Sequence, residues 1–322
     1  MNQRKPSAVL PLTLALAACA SVPPPPRATL VDDYRPTTQG PQLAEVREAV
    51  QRYRDFDVAK REGWKSFGGD EPLMGRHFYN ESAPDYVAGD ELDFSRPNNV
   101  MYTEIDGRMV LTGVAFVVRL GDEEPLPEGF AGDADRWHVH DFVRAIEAAT
   151  EERPLIRWLA NRWLDANYRD KGDDRGRLAM VHAWVTLDNP DGVFADYNRT
   201  VPYLKLGLPT TYWQSASVDA ARGLNLATEG ACSAQDGTLW IADASEAQKR
   251  AIREACEAAG QTVRAALGKG KAAVNRAGEQ AWSAFDRTWQ TTLTPVQRDR
   301  IAAMSEHGSD GHGEDHLMHE DH

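Results

Sequence analysis

Apolar residues recur at helical spacing from Gln42 to about Trp64, where Leu43, Val46, Val50, Tyr53, Phe56 and Ala59 mark one face. Between residues 98 and 120 the pattern changes. Val100 to Ile105, then Asp106-Gly107, then Met109 to Leu120 predict two strands joined by a tight turn. Leu178 to Leu187 predicts another strand, ending at the turn sequence Asn189-Pro190-Asp191-Gly192. Between these lies a helical stretch, Phe142 to Tyr168, interrupted near Pro154; its Trp158, Trp163 and Tyr168 fit a core-facing side. From Ser245 to about Gln290 a stripe of Ile252, Cys256, Val263, Leu267, Val274, Trp282, Phe285 and Trp289 predicts a long helix, or two pieces broken near Gly268-Lys269-Gly270. Ser245 and Gln248 form a capping box at its start, and Thr294 with Gln297 forms a second one opening a short helix to Met304.

These elements predict an α+β fold: an antiparallel β core, open to barrel-like closure, with flanking helices and a long C-terminal helical segment. The chain divides into a mixed α/β body over 42–240, a helical region over 241–304, and two segments of different composition at either end. Residues 1–18 read as a targeting segment, with Arg4 and Lys5 ahead of a short apolar run from Ala8 to Ala18. Residues 19–41 hold Pro23 to Pro26, Pro36 and Pro41 and read as an extended, polyproline-type spacer. Residues 305–322 combine five His with six acids and no bases, so no packed core forms from them.

Composition narrows the function. The 322 residues carry 49 Asp and Glu against 36 Lys and Arg, a formal charge of −13, which argues against nucleic acid as a partner because phosphate binding needs clustered bases. The three Cys separate into Cys19, at the end of the apolar run, and the pair Cys232 and Cys256. In an exported chain such a pair reads as a disulfide. In the C-terminal tail His307, His312, His316, His319 and His322 alternate with carboxylates, a pattern that collects divalent cations weakly and without fixed geometry.

The body holds His77, His138, His140 and His182. In Trp137-His138-Val139-His140 the two imidazoles share a face if the segment is extended, since side chains alternate along a strand. His182 lies inside the strand over 178–187, and Glu104 lies on the first strand of the hairpin, sharing a face with Tyr102 and Val100. His77 follows Met74-Gly75-Arg76 in a predicted turn. Three or four imidazoles with one carboxylate suit Zn, Cu, Ni, Fe or Mn. Asp133, Asp135 or Asp141 stand near enough in sequence to orient an imidazole through its second N–H. A buried, hydrogen-bonded core role for each His is the competing reading.

Two resemblances bear on these residues. Leu16-Ala17-Ala18-Cys19 looks like the lipobox of bacterial lipoproteins, which implies cleavage before Cys19, lipid on that cysteine and a periplasm-facing place in the cell envelope. Ala20, standing where Asp would retain a lipoprotein at the inner membrane, implies the outer membrane. The set Met74-Gly75-Arg76-His77, Tyr102-Thr103-Glu104, Gly129-Phe130-Ala131-Gly132 with Trp137-His138-Val139-His140, and Val181-His182-Ala183-Trp184 followed by Asn189-Pro190-Asp191-Gly192-Val193-Phe194 resembles a family of secreted and periplasmic bacterial proteins to which no activity is attached. It is also loosely similar to the cupin ligand set, although Glu104 here precedes the H-x-H pair. Three functions follow as expectations: a membrane-anchored metal-binding protein with a metal-collecting tail, a metal-dependent envelope enzyme using the same His/Glu site, or a structural lipoprotein whose C-terminal helix docks an envelope partner.

Overall fold

In a computed structural model of the chain the described residues are 40–302, apart from 122, 133, 152 and 168–175. The expectations for Cys19, the spacer up to residue 39 and the His-rich tail lie outside them, whereas Gly40 and Pro41, expected in the spacer, begin the first helix. Seven strands form one sheet: β1 (Lys65–Glu71), β2 (Gly75–Tyr79), β3 (Tyr86–Val87), β4 (Asn99–Ile105), β5 (Arg108–Leu120), β6 (His138–Asp141) and β7 (Arg177–Ala183). The order is β1-β2-β4-β5-β7-β6, all antiparallel; the short β3 runs parallel to β5 where β4 no longer covers it. Among the described residues the outer strands β1 and β6 do not pair, so the sheet is open and not a closed barrel.

The β4–β5 hairpin forms where the sequence predicts it. Asp106 and Gly107 both have positive φ, 50° and 70°, the backbone that a two-residue turn matching the strand twist requires. One sheet face is dry. The helices α1 (Gly40–Val50) and α2 (Phe56–Arg61) lay Leu43, Val46, Val50 and Ala59 against Phe78, Val100, Tyr102, Phe116 and Val181. The helical pattern from Gln42 breaks at Asp55, which is extended and accepts the Asp57 N–H on its side chain, so the second piece is capped separately.

The chain after β7 is helical from Val201 onward: α5 (Val201–Lys205), α6 (Val218–Asn225), α7 (Ala231–Ile241), α8 (Glu246–Arg264), α9 (Lys271–Thr292) and α10 (Pro295–Ala302). The long C-terminal pattern resolves into two helices, because Gly268 and Gly270 take left-handed φ of 81° and 88° at the break. Both capping boxes form, and Gln248 of one hydrogen-bonds Gln297 of the other, tying the start of α8 to the start of α10. The stripe on α8 and α9 points inward, with Ile252, Cys256, Val263, Val274 and Phe285 buried. Cys232 of α7 and Cys256 of α8 form a disulfide with Cα atoms 5.7 Å apart.

Two helices between β6 and β7, α3 (Phe142–Thr150) and α4 (Pro154–Asn167), divide near Pro154 as the sequence predicts. Their burial departs from expectation. Trp158 and Trp163 are 56% and 46% exposed, not core, and Leu164 is the residue of α4 that turns inward. Tyr168 lies outside the described residues.

Candidate metal centre

Register decides which side chains can meet. His77 on β2 stands opposite Met101 on β4, and Met101 stands opposite Gly113 on β5. His182 on β7 stands opposite Ala115 on β5, two residues from Gly113 and therefore on the same face. His138 and His140 on β6 stand opposite Met180 and Leu178, again that face. All four body histidines thus project from the side of the sheet away from α1 and α2.

Strands β2 and β7 are separated by β4 and β5, about 14 Å at ordinary strand spacing. Yet His77 Nε2 and His182 Nε2 are 3.2 Å apart. The rings lean toward each other over a floor of small residues, Gly113 and Ala115, which requires the sheet to curl toward this face. A Cβ on Gly113 would stand 2.7 Å from the Ala183 carbonyl and 2.9 Å from the Met101 methyl, so the floor has no space for one. His77 is itself set by a neighbouring glycine. Gly75 has φ of 96°, and a Cβ there would fall 2.4 Å from the Tyr102 carbonyl oxygen.

The strand over 178–187 stops at Ala183 because the next residue turns away. The Trp184 backbone N–H donates to Val193 O and its indole N–H to Ala195 O. This folds the 184–200 segment back over the histidines and delivers Asp196. His182 Nδ1 lies 2.9 Å from the Asp196 carbonyl, which can only accept, so the proton of neutral His182 sits on Nδ1 and the Nε2 lone pair faces His77. The Asp196 carboxylate Oδ1 is 3.3 Å from His138 Nδ1. His138, His182 and Asp196 each offer a donor atom, all within 4.8 Å of one another, and the group could hold a metal ion. The His140 ring is 5.0 Å from that of His138, at 88° to it.

No family model, no curated protein and no solved structure matches this chain.

Burial of His77 and His182 disfavours their charged forms, and the neighbouring imidazoles add to the effect. The His77 pKa falls to about 4, first through burial and then through His138 and His140. His182, fully buried, is pushed well below the usual range by the same causes, with the Asp196 carbonyl opposing them. Both are neutral near pH 7, the state in which imidazole ligates metal. Two donors about 2.0–2.2 Å from one ion stand roughly 2.8–3.6 Å apart at angles between square and tetrahedral. The 3.3 Å separation of His138 Nδ1 and Asp196 Oδ1 falls in that window, whereas the three donors together lie within 4.8 Å of one another.

His77, His138, His140 and His182 come to one face. His77 reaches it from inside strand β2 and not from a turn. Glu104 does not join them: it is three residues from Met101, so strand alternation sends it to the opposite side of the sheet, exposed beside the hairpin turn. The carboxylate comes from Asp196 instead. Asp135 accepts the Phe130 backbone N–H and Asp141 accepts that of Arg144, both local roles, while Asp133 lies outside the described residues. The pKa of Asp135 rises to about 6, mainly through burial. Glu71, at the end of β1, reaches solvent beside the cluster. Its pKa is raised, first by the surrounding protein mass, and His138 opposes the shift. Tyr197, also exposed, is close enough to feel both Glu71 and Asp196.

Proposed function

We propose that the chain is a lipid-anchored protein of the bacterial cell envelope that holds one divalent transition ion, with His77, His138, His140, His182 and Asp196 as its donor set. In this reading Cys19 carries the lipid, the domain faces the periplasm, and His307, His312, His316, His319 and His322 gather metal for storage, delivery or sensing. The lipobox-like sequence and the His-rich tail support the anchor and the supply; they are sequence features. One structural observation carries the metal assignment. His138 Nδ1 and Asp196 Oδ1 are both buried and make no hydrogen bond, although they face each other. A buried polar atom without a partner costs about 1–3 kcal/mol, and here two such atoms stand 3.3 Å apart. A cation between them removes both penalties. Four imidazoles and one carboxylate match Zn, Cu, Ni, Fe or Mn.

Elemental analysis of a chain ending at Ala302, which lacks the His-rich tail, tests the assignment. We expect about one tightly held ion per chain, lost in His138→Ala/His182→Ala. Asp196→Asn, nearly isosteric and so protective of the fold, should weaken affinity roughly tenfold or more, since even residues that only orient a ligand are worth that much. A metal-free truncated chain, or unchanged affinity in Asp196→Asn, refutes the site.

A further inference from the structure

Met180 is buried in the middle of β7. Strand alternation puts it on the histidine side of the sheet, two residues from His182, while Ala179 and Val181 face the dry core. Across the β6–β7 ladder it stands directly opposite His138, and residues so paired hold their Cβ atoms about 4.5–5.5 Å apart. The His138 and His182 rings beside it are 5.0 Å apart between centres. The two methionines nearest in the fold are engaged elsewhere. Met101, opposite His77, packs with Met74, Ile105, Trp184 and Leu204 in an apolar cluster, its methyl over Gly113. Among the described residues Met180 joins none of the three apolar clusters. A buried methionine ordinarily fills a gap in a core. This one stands instead at the corner between two imidazoles, one of which faces the Asp196 carboxylate at 3.3 Å.

We infer that Met180 Sδ is a further donor at the metal centre and that the centre is built for copper, the cuprous ion included. This rests on the metal-binding reading and narrows it to one element. Imidazole alone does not discriminate, because it serves Zn, Cu, Ni and Fe alike. Sulfur does. A thioether is a soft, uncharged donor that selects Cu(I), whereas zinc is held by thiolate, imidazole and carboxylate. The Asp196 carboxylate on the other side of His138 suits a divalent ion, so the combined set accepts copper in either oxidation state. The flexible methionine side chain adapts its sulfur to the ion without moving β7.

The test compares two ions on the full chain. Metal-free wild type and Met180→Leu are titrated with Cu(I), under ascorbate and without oxygen, against a chromophoric chelator strong enough to strip loosely bound ions. Zn(II) is titrated separately in the same way. Leucine is close in volume and equally apolar, so the change preserves packing and removes the sulfur; an unchanged melt of the metal-free variant verifies the fold. We expect wild type to hold about one Cu(I) and the variant to bind it roughly tenfold or more weakly, with Zn(II) affinity kept within about twofold. Equal Cu(I) affinity in the two proteins overturns the inference, and so does an equal loss for both ions, which would make Met180 a packing residue. Wild type that binds Zn(II) but not Cu(I) overturns it too and leaves the metal-binding reading standing. Wild type that binds neither ion ends both.

Discussion

His182 has no exposed surface, yet one of its nitrogens is directed at another imidazole and the other is held by a backbone carbonyl. At this scale the site has a definite response to pH. The His77 pKa is about 4 in the folded chain and near 6.5 in an unfolded one, and His182 is displaced in the same direction. As pH falls through 6.5 the unfolded chain takes up these protons first, so each one favours unfolding. The stability present above about 6.5 is lost progressively toward pH 4. Metal-free protein should therefore melt at lower temperature at pH 5 than at pH 7.5, and His77→Gln should shrink the difference. Thermal melts of the two proteins decide it; equal pH dependence would mean that His77 is not held neutral by the fold.

Helices α6 and α9 approach so closely that glycine is required on both. A Cβ on Gly223 would lie 1.8 Å from the Gly278 carbonyl oxygen, and one on Gly278 would lie 2.4 Å from that of Ala220. Helix propensity alone predicts that Gly278→Ala stabilises α9 by about 1 kcal/mol. Overpacking predicts a loss of roughly 1–3 kcal/mol or more. The contact is with backbone, which cannot rotate aside, so packing prevails and the variant should show a lower denaturation midpoint in urea. A raised midpoint would show that α6 and α9 can separate at little cost. The same elements mark what sequence could tell. The hairpin, the break at Gly268-Lys269-Gly270 and both capping boxes were legible because each is a local rule. The edge of the site was not. Gly75-Arg76-His77-Phe78-Tyr79 is too short and too close to a glycine to announce a strand, and Asp196 carries no spacing signal, because hydrogen bonds made in the folded chain, those of Trp184 among them, bring its loop back over His182. The placing of Glu104 was decided by counting: an odd offset from Met101 puts it on the wrong face.

In the whole molecule the sheet separates two environments. One face joins the N-terminal helices in a continuous apolar core, and the other carries polar chemistry beside the C-terminal helices. The group that could hold an ion draws on β6, β7 and the 184–200 loop, with His77 of β2 against His182, so no single element makes the site. This scatter ties occupancy to survival. An ion that contacts all of these segments binds the finished fold and has little to hold in the unfolded chain. At a free concentration 100 times its Kd it adds about 2.7 kcal/mol to stability. Melting temperature should then climb with metal concentration in wild type and stay level in Asp196→Asn; a parallel rise in both would assign the gain to other groups. Because proteases cut the open form, a cell short of the ion would clear this protein faster than a replete one, making its abundance itself a record of metal supply.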